Sequence, residues 1–563
     1  VQTTIVVQQI QQLPLVTRTA LDYVVNMPGV IVPNSGATRS STLMGLPGYT
    51  NNITLDGVNV QSNDNKEGFF MYIRPLMDSV EEITVSTSTP GAESSGQGAT
   101  QIRMVTRSGS NKFSLSAYNT WRNQAGTTSE DAIARTKKSK WIWRLNTPYW
   151  FNKRDIPKTA AGEYFINDVR LQTPGFRVGG PVVKDKLFYF FNWEWFLWPN
   201  QVTRNRYLLN PKAQQGLFTY TANDGTTREL NLLTLAASKG QVSTIDPTVD
   251  KLLADIRSTT QKGIGGVDAY DLNVDKFTYS PEGEQYRHFP TRRVDYNITG
   301  SHRLTFTTRY NRFKSSPDVL NSNEPLWPGF PNQAGQYSKR FMAQGTLRST
   351  FGKNLVNEVR LGYMGAFEGG THFGEPWEVS ESVFNCSGLG CQSVGGKGYS
   401  IGIGNAASGI SGATRSTGPS RDYQPGRVFE DTLTWLKGKH SLSMGASFTN
   451  IRTYEWADTV VPSITLGLSS LDPAYTHFTY TSGNYPGGIT STQAGYAQGL
   501  YAVLTGRVTS ISGTAYLDDA TGKYVYLGER VALCSMNDLG LFVSDSWRVK
   551  PNLTVNGGVR YEM

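Results

Sequence analysis

No run in this 563-residue chain approaches the ~18 consecutive apolar residues that a membrane-spanning helix needs. Any bilayer crossing must therefore be made by strands. Cysteine and histidine are scarce, with three Cys and five His, and none stands close enough to its neighbours to complete a four-ligand metal site. No metal and no cofactor is expected. Catalytic signatures are missing as well: there is no Gly-Lys-Ser/Thr phosphate loop, no His-Glu-x-x-His and no nucleophile elbow. Adjacent carboxylates such as Glu81 and Glu82 would face opposite sides of a strand, which makes a poor acid–base pair. No enzyme is expected. The net charge of +9 comes without a helix-turn-helix, zinc-finger or RNP pattern, so it does not signal nucleic acid.

What the chain does have is glycine (58 residues) and aromatic rings (12%), a mixture that suits strands carrying large side chains. From about Phe113 onward one device repeats: an alternating strand, a short polar turn, another alternating strand, then a long connection. The short turns are "VKDK" at 183 to 186, "TGSH" at 299 to 302, "GKN" at 352 to 354, "KGKH" at 437 to 440 and "KPN" at 550 to 552. Between them run long stretches rich in Gly, Ser, Asn and Pro, near 123 to 173, 198 to 289, 315 to 336, 370 to 424 and 455 to 537. Compact domains rarely carry so many irregular connections. Outer-membrane barrels do, because they alternate short periplasmic turns with long extracellular loops.

The strands themselves decide which face is oily. "HRLTFTTRYNRF" sets Leu304, Phe306, Thr308 and Tyr310 against Arg303, Thr305, Thr307, Arg309 and Asn311. "LFYFFNWEWF" sets Leu187, Tyr189, Phe191, Trp193 and Trp195 against Asn192 and Glu194. A β-sandwich also alternates, but its inner face needs packing residues where these strands carry Arg, Glu and Asn in mid-strand. Such residues fit a wide, wet lumen, and backbone groups at membrane depth are satisfied when the sheet closes. The apolar face is expected to meet lipid.

The first hundred residues differ. "LVTRTALDYVVNMPGV" reads as an amphipathic helix with Thr19 as N-cap and Pro28-Gly29 as its stop, and "NITLDGVNV", "VEEITVSTS" and "ATQIRMVTRSG" as short strands bounded by turns. A small α+β globule is expected at residues 1–111, ahead of the strand repeat at 112–563. These segments, in this order, resemble the plug domain of TonB-dependent outer-membrane receptors and the entry to their barrel. "FRVGGPVVKDKLFYFFNWEWF", "IDPTVDKLLADIR", "FPTRRVDYNITGSHRLTFTTRYNRF" and "GLFVSDSWRVKPNLTVNGGVRYE" resemble the Oar-like branch of that superfamily. Many plugs carry Arg-Gly before the Asp-Gly turn, where this chain has Met44-Gly45, so the resemblance does not carry over a lock between a plug arginine and a barrel carboxylate. "TTIVV" at 3 to 7 resembles a TonB box in flavour, but its place before "QQIQQLP" favours the plug's first strand.

The resemblance implies a mostly β fold: a large antiparallel transmembrane β-barrel of about 22 strands, about eleven of them in this chain, around the small plug. Starting at Val1 and stopping within a strand pattern, the chain is expected to be a processed or trimmed piece, with the remaining barrel half absent or supplied separately. The implied function is import of a large substrate (peptide, protein or glycan) across the bacterial outer membrane, with the TonB-ExbB-ExbD complex moving the plug. The alternative is a structural or adhesive barrel in an envelope assembly, contacting envelope partner proteins. Outer-membrane lipid and lipopolysaccharide are the expected surroundings.

Two sets of residues stand out from the pattern. Arg122, Lys137, Lys138, Lys140, Trp141 and Trp143 interleave cations with aromatic rings after the first barrel strand; they read as substrate contacts, or as a solvated loop at an anionic lipid interface. Cys386 and Cys391 in "CSGLGC" read as a small disulfide loop, and so as an oxidising compartment, with Cys534 left over.

Overall fold

The computed structural model describes residues 2–6, 18–27, 29–32, 40–62, 68–87, 91–93, 100–123, 141–143, 150–152, 170–260, 266–332, 334–365, 375–377, 388–390, 393–394, 397–398, 400–413, 420–458 and 462–563. Two sheets and one loop-built core organise them.

The N-terminal sheet joins β1 (Gln2–Val6), β2 (Asn51–Leu55), β3 (Val58–Asn59), β4 (Val80–Ser86) and β5 (Thr100–Thr106) in the order β1-β4-β5-β2-β3. Residues 3–6 of the "TTIVV" segment thus lie in a sheet, paired antiparallel with β4. Asp56 and Gly57 both take positive φ, as the tight β2–β3 hairpin requires, and the Asp56 carboxylate accepts from the Thr106 amide at 2.8 Å. Ile53, Leu55, Val58, Ile83, Val85 and Ile102 form the core of the globule, and each is fully or almost fully buried. The expected amphipathic helix is instead a seven-residue 3-10 segment, Ala20–Asn26, which still buries Leu21, Tyr23 and Val24. Thr19 occupies the N-cap position without a side-chain hydrogen bond. Gly29, at φ +88, turns the chain away after it.

The large sheet is a meander of β6 (Ser114–Asn123), β7 (Arg170–Val183), β8 (Leu187–Gln201), β9 (Glu282–His288), β10 (Thr291–Thr299), β11 (His302–Ser315), β12 (Gly335–Phe351), β13 (Leu355–Gly365), β14 (Gly426–Lys437), β15 (His440–Asp458), β16 (Glu529–Lys550) and β17 (Leu553–Glu562). Apart from β9 and β10, each strand pairs antiparallel with its chain neighbour. Strands β9 and β10 share one place, since both pair with β8 and β11, so the sheet makes eleven crossings with β6 and β17 at its edges. All five short turns fall where the sequence places them. No helix among the described residues is long and apolar enough to cross a membrane.

Side-chain exposure follows the strand pleat. On β11, Leu304 and Phe306 are 39% and 48% exposed, while Thr307 and Arg309 are 0% and 2% exposed. Leu361, Phe429, Phe448, Leu541 and Val559 continue the exposed apolar surface across five more strands. Over much of the sheet the polar face is the covered one, with the N-terminal globule lying against it, whereas on the edge strand β17 both faces are exposed.

The long connections are more ordered than their composition implies. Leu209, Phe218, Leu252, Phe277, Trp327, Ile403, Phe478 and Tyr501, drawn from four separate connections, share one hydrophobic core at the long-loop end. Four helices among the described residues contribute to this cap, and the two longest stiffen it. Helix α1 (Pro247–Thr259) is N-capped by Asp246, which accepts from Thr248 and Val249; α2 (Ser491–Leu504) is capped by Thr490. Glycine and serine in these segments mask an apolar set spaced too widely along the chain to register as periodic.

Candidate functional site

The seam between the N-terminal globule and the inner face of the wall is built mainly from arginines meeting oxygen. Arg18, just ahead of the 3-10 segment, pairs with Asp78 of its own globule and with Glu194 of β8, the latter at 3.2 Å. Glu194 has no exposed side-chain surface, so this contact is a desolvated ion pair. Asp78 is also held from the wall by Arg177 of β7 at 3.0 Å. Arg18 thus supplies an arginine-to-carboxylate contact between globule and wall, at a position other than Met44-Gly45. Burial alone would lower the Arg18 guanidinium's pKa, but the charges of Glu194 and then Asp78 outweigh it and hold it above its ordinary value.

Further along the seam the wall's arginines reach into the globule. Arg309 donates to the Ser79 hydroxyl at 2.9 Å, Arg293 to the Thr106 carbonyl at 2.5 Å, and Arg340 to the Tyr72 carbonyl at 2.8 Å while lying 5.0 Å over the Tyr72 ring. Among the described residues, Met342, Met364 and Val428 of the wall pack against the globule's core. The Asp22 carboxyl is pushed up to about 6 by burial, with the charge of Arg74 acting in the opposite direction.

The globule does not fill the inner face. Toward the short-turn end a cavity of about 770 Å³ separates β2 and β5 from β12, β13 and β14, and charged groups of both signs line it: Asp56, Arg103, Arg293, Glu358, Arg360 and Glu430. Arg360 bridges Glu358 at 2.9 Å and Glu430 at 2.5 Å, and its guanidinium sits where a side chain at Gly57 would have to go. Toward the long-loop end the lining is aromatic and basic, with Arg287 held between the rings of Phe196 (4.9 Å) and Phe313 (4.8 Å). Above it, the cap pins the connection around residue 324 through Glu324, fully buried and bound by Arg204 at 2.8 Å and Arg206 at 2.9 Å. Among the described residues no group of three His, Cys, Asp or Glu is placed to hold a metal ion.

The residues singled out from the sequence fare differently. Arg122 lies in β6 opposite Leu171, and Trp141 and Trp143 lie in a short strand paired with Trp150–Asn152. Lys137, Lys138 and Lys140 are outside the described residues, as are Cys386 and Cys391. Cys534 is a free, exposed thiol on β16. Sequence reasoning placed Glu194 and Arg309 on the polar face but did not see that they meet the globule; the signal is a charge in mid-strand on a face that has to be covered.

Residues 105–563 match the family described as "Outer membrane beta barrel domain". No curated protein sequence matches the chain. Among solved structures it is similar to the Escherichia coli outer membrane transporter YddB, at 11% identity and a TM-score of 0.50, covering 100% of this chain and 56% of that one. It is also similar to the siderophore receptor PirA of Acinetobacter baumannii (13% identity, 100% and 56% covered, TM-score 0.48) and the ferric enterobactin receptor PfeA of Pseudomonas aeruginosa (11%, 100% and 57%, 0.46). The chain therefore spans little more than half the length of these structures. With greasy strands facing out, a charged inner face and the family match over most of its length, this chain is an outer-membrane protein and belongs to the outer membrane β-barrel domain family.

Proposed function

We propose that the chain forms the plug (residues 1–111) and the first barrel half (112–563) of a TonB-dependent transporter of the Oar-like branch, which imports a large substrate (peptide, protein or glycan) across the outer membrane. The observation that carries this reading is the polar seam. A globule meant to stay in place for good would bury mostly apolar surface against the wall, whereas this one meets it mainly through ion pairs and hydrogen bonds beside a charged cavity, with Met342, Met364 and Val428 adding a small apolar patch. Such contacts break one at a time under a pull, and water can replace each of them. The TonB-ExbB-ExbD complex supplies the pull from the periplasm, and the cap together with the basic loop around Arg122, Lys137, Lys138, Lys140, Trp141 and Trp143 meets the substrate first. Further strands, joining the edges β6 and β17, complete a barrel of about 22. The surrounding lipid is outer-membrane lipid and lipopolysaccharide.

The test is uptake in cells with and without TonB. Growth or import that depends on this receptor must vanish when TonB is deleted, and also when a cleavable bis-maleimide cross-linker joins plug to wall at Ser79→Cys and Arg309→Cys, a pair that an arginine's length holds too far apart for a direct disulfide; cleaving the linker must restore it. Import unaffected by either change leaves the structural or adhesive barrel as the better reading.

A further inference from the structure

The short-turn rim of the wall carries an arrangement that transport does not use. Four rings point outward from the last residues before or after these turns: Tyr296, Phe351, Trp435 and Trp547, each in register with apolar residues of the lipid-facing surface. Each has a nitrogen-bearing side chain beside it. Lys186 sits 6.0 Å over Tyr296 and Lys437 sits 4.6 Å over Trp435; His440 stacks on Trp547 at 5.5 Å, and His302 meets Phe351 edge-on at 5.8 Å. Aromatic rings at this height settle at the headgroup level, and long cationic side chains run past them toward the phosphates.

The charge at this rim is one-sided. The turns expose six lysines, Lys184, Lys186, Lys353, Lys437, Lys439 and Lys550, against the single carboxylate of Asp185. That carboxylate is already engaged, accepting from the Asn111 amide at 2.5 Å. The other His partner, Asp545, is likewise taken up, bonded to His440 at 2.6 Å. A cationic ring floored by aromatic rings, at the depth where a lipid leaflet presents its phosphates, complements a headgroup with net negative charge and gains little from a zwitterionic one.

We propose that this rim is a selective docking surface for anionic glycerophospholipid in the periplasmic leaflet, and that it gathers such lipid around the barrel. It stands on the membrane location alone and is independent of what the barrel carries. The experiment excises the protein with its native lipid shell from outer membranes in copolymer discs and weighs the phospholipid by mass spectrometry, counting lipopolysaccharide separately because it occupies the other leaflet. Wild-type discs should hold phosphatidylglycerol enriched over the bulk membrane. At low salt each lysine contributes about fivefold to the local preference. The variant Lys186→Gln/Lys437→Gln/Lys439→Gln removes half of the six lysines and should lower the local preference by about 100-fold. If that variant does not assemble, wild-type protein in discs reconstituted from phosphatidylglycerol and phosphatidylethanolamine gives the second reading, in which enrichment should collapse at 0.5 M salt. Bulk composition around wild type, enrichment that survives the triple variant, enrichment indifferent to salt, or retention of peptidoglycan fragments in place of lipid would each overturn the proposal.

Discussion

Changing Arg18 to Met keeps the aliphatic stem and removes only the charge that faces Glu194. At the observed 3.2 Å, an effective dielectric of 20 puts the attraction at about 5 kcal/mol before desolvation is counted. Removing one partner of a buried pair typically costs about 3–5 kcal/mol, because the remaining charge is stranded. Glu194 is fully buried, whereas Arg18 keeps 17% of its side-chain surface and Asp78 keeps Arg177, so the lower end, about 3 kcal/mol, is the expected loss. Hydrogen exchange in lipid discs reads this loss directly. Amides of β4 and β5 should exchange roughly 100-fold faster in Arg18→Met, since each 1.4 kcal/mol is about tenfold. Adding Glu194→Gln should recover most of the protection, to within about 1 kcal/mol, because the stranded charge is gone. Acceleration below about threefold in the single variant, or a double variant as loose as the single, would refute the claim that this ion pair holds globule to wall.

Other expectations follow from burial and position. Asp22 has its carboxyl raised to about 6, so the folded globule binds a proton more tightly than the unfolded chain does, and stability should fall as pH rises from about 4 through 6; Asp22→Asn should flatten that limb in pH-dependent hydrogen exchange. Leu361→Arg, on the lipid face, should weaken refolding into vesicles by about 2–4 kcal/mol in a denaturant titration, whereas Thr432→Arg, which opens into the 770 Å³ cavity, should cost little. Glu324→Ala should strand Arg204 and Arg206 and melt the cap at lower temperature than the wall, by about 3–5 kcal/mol in calorimetry. Peptide mapping without reductant should find Cys386 joined to Cys391 and Cys534 free; three free thiols would remove the disulfide.

The wall was legible because its physics is local. A period of two, broken by polar turns, was enough to place eleven crossings and to say which side of "HRLTFTTRYNRF" is greasy; Leu304 and Phe306 are exposed and Thr307 and Arg309 are covered, as read. Two things were not legible. The segment Ala20–Asn26 has the composition of a helix, yet with Val24 and Val25 adjacent and a Pro-Gly stop close behind it holds only 3-10 geometry. Of the cap, the helix over "TVDKLLADIR" was legible in the sequence, but the shared core was not, because it is made of pairs far apart in the chain: Tyr220 bonds to the carbonyl of Pro486, and Tyr501 to that of Val242. The seam lay between these extremes. Glu194 and Arg309 declared themselves as odd charges in strands, but nothing near Arg18 in the sequence marks it as their counterpart.

The cap's shared core also fixes when it can form. Its pieces come from four different connections, so it can close only once all of them, out to the segment around Tyr501, have crossed the bilayer. That final assembly happens on the cell surface, where no nucleotide-driven chaperone operates. A fully buried Trp327 and the doubly clamped Glu324 are then less a matter of rigidity than of self-sufficiency: this part of the molecule has to find its shape unaided, and last.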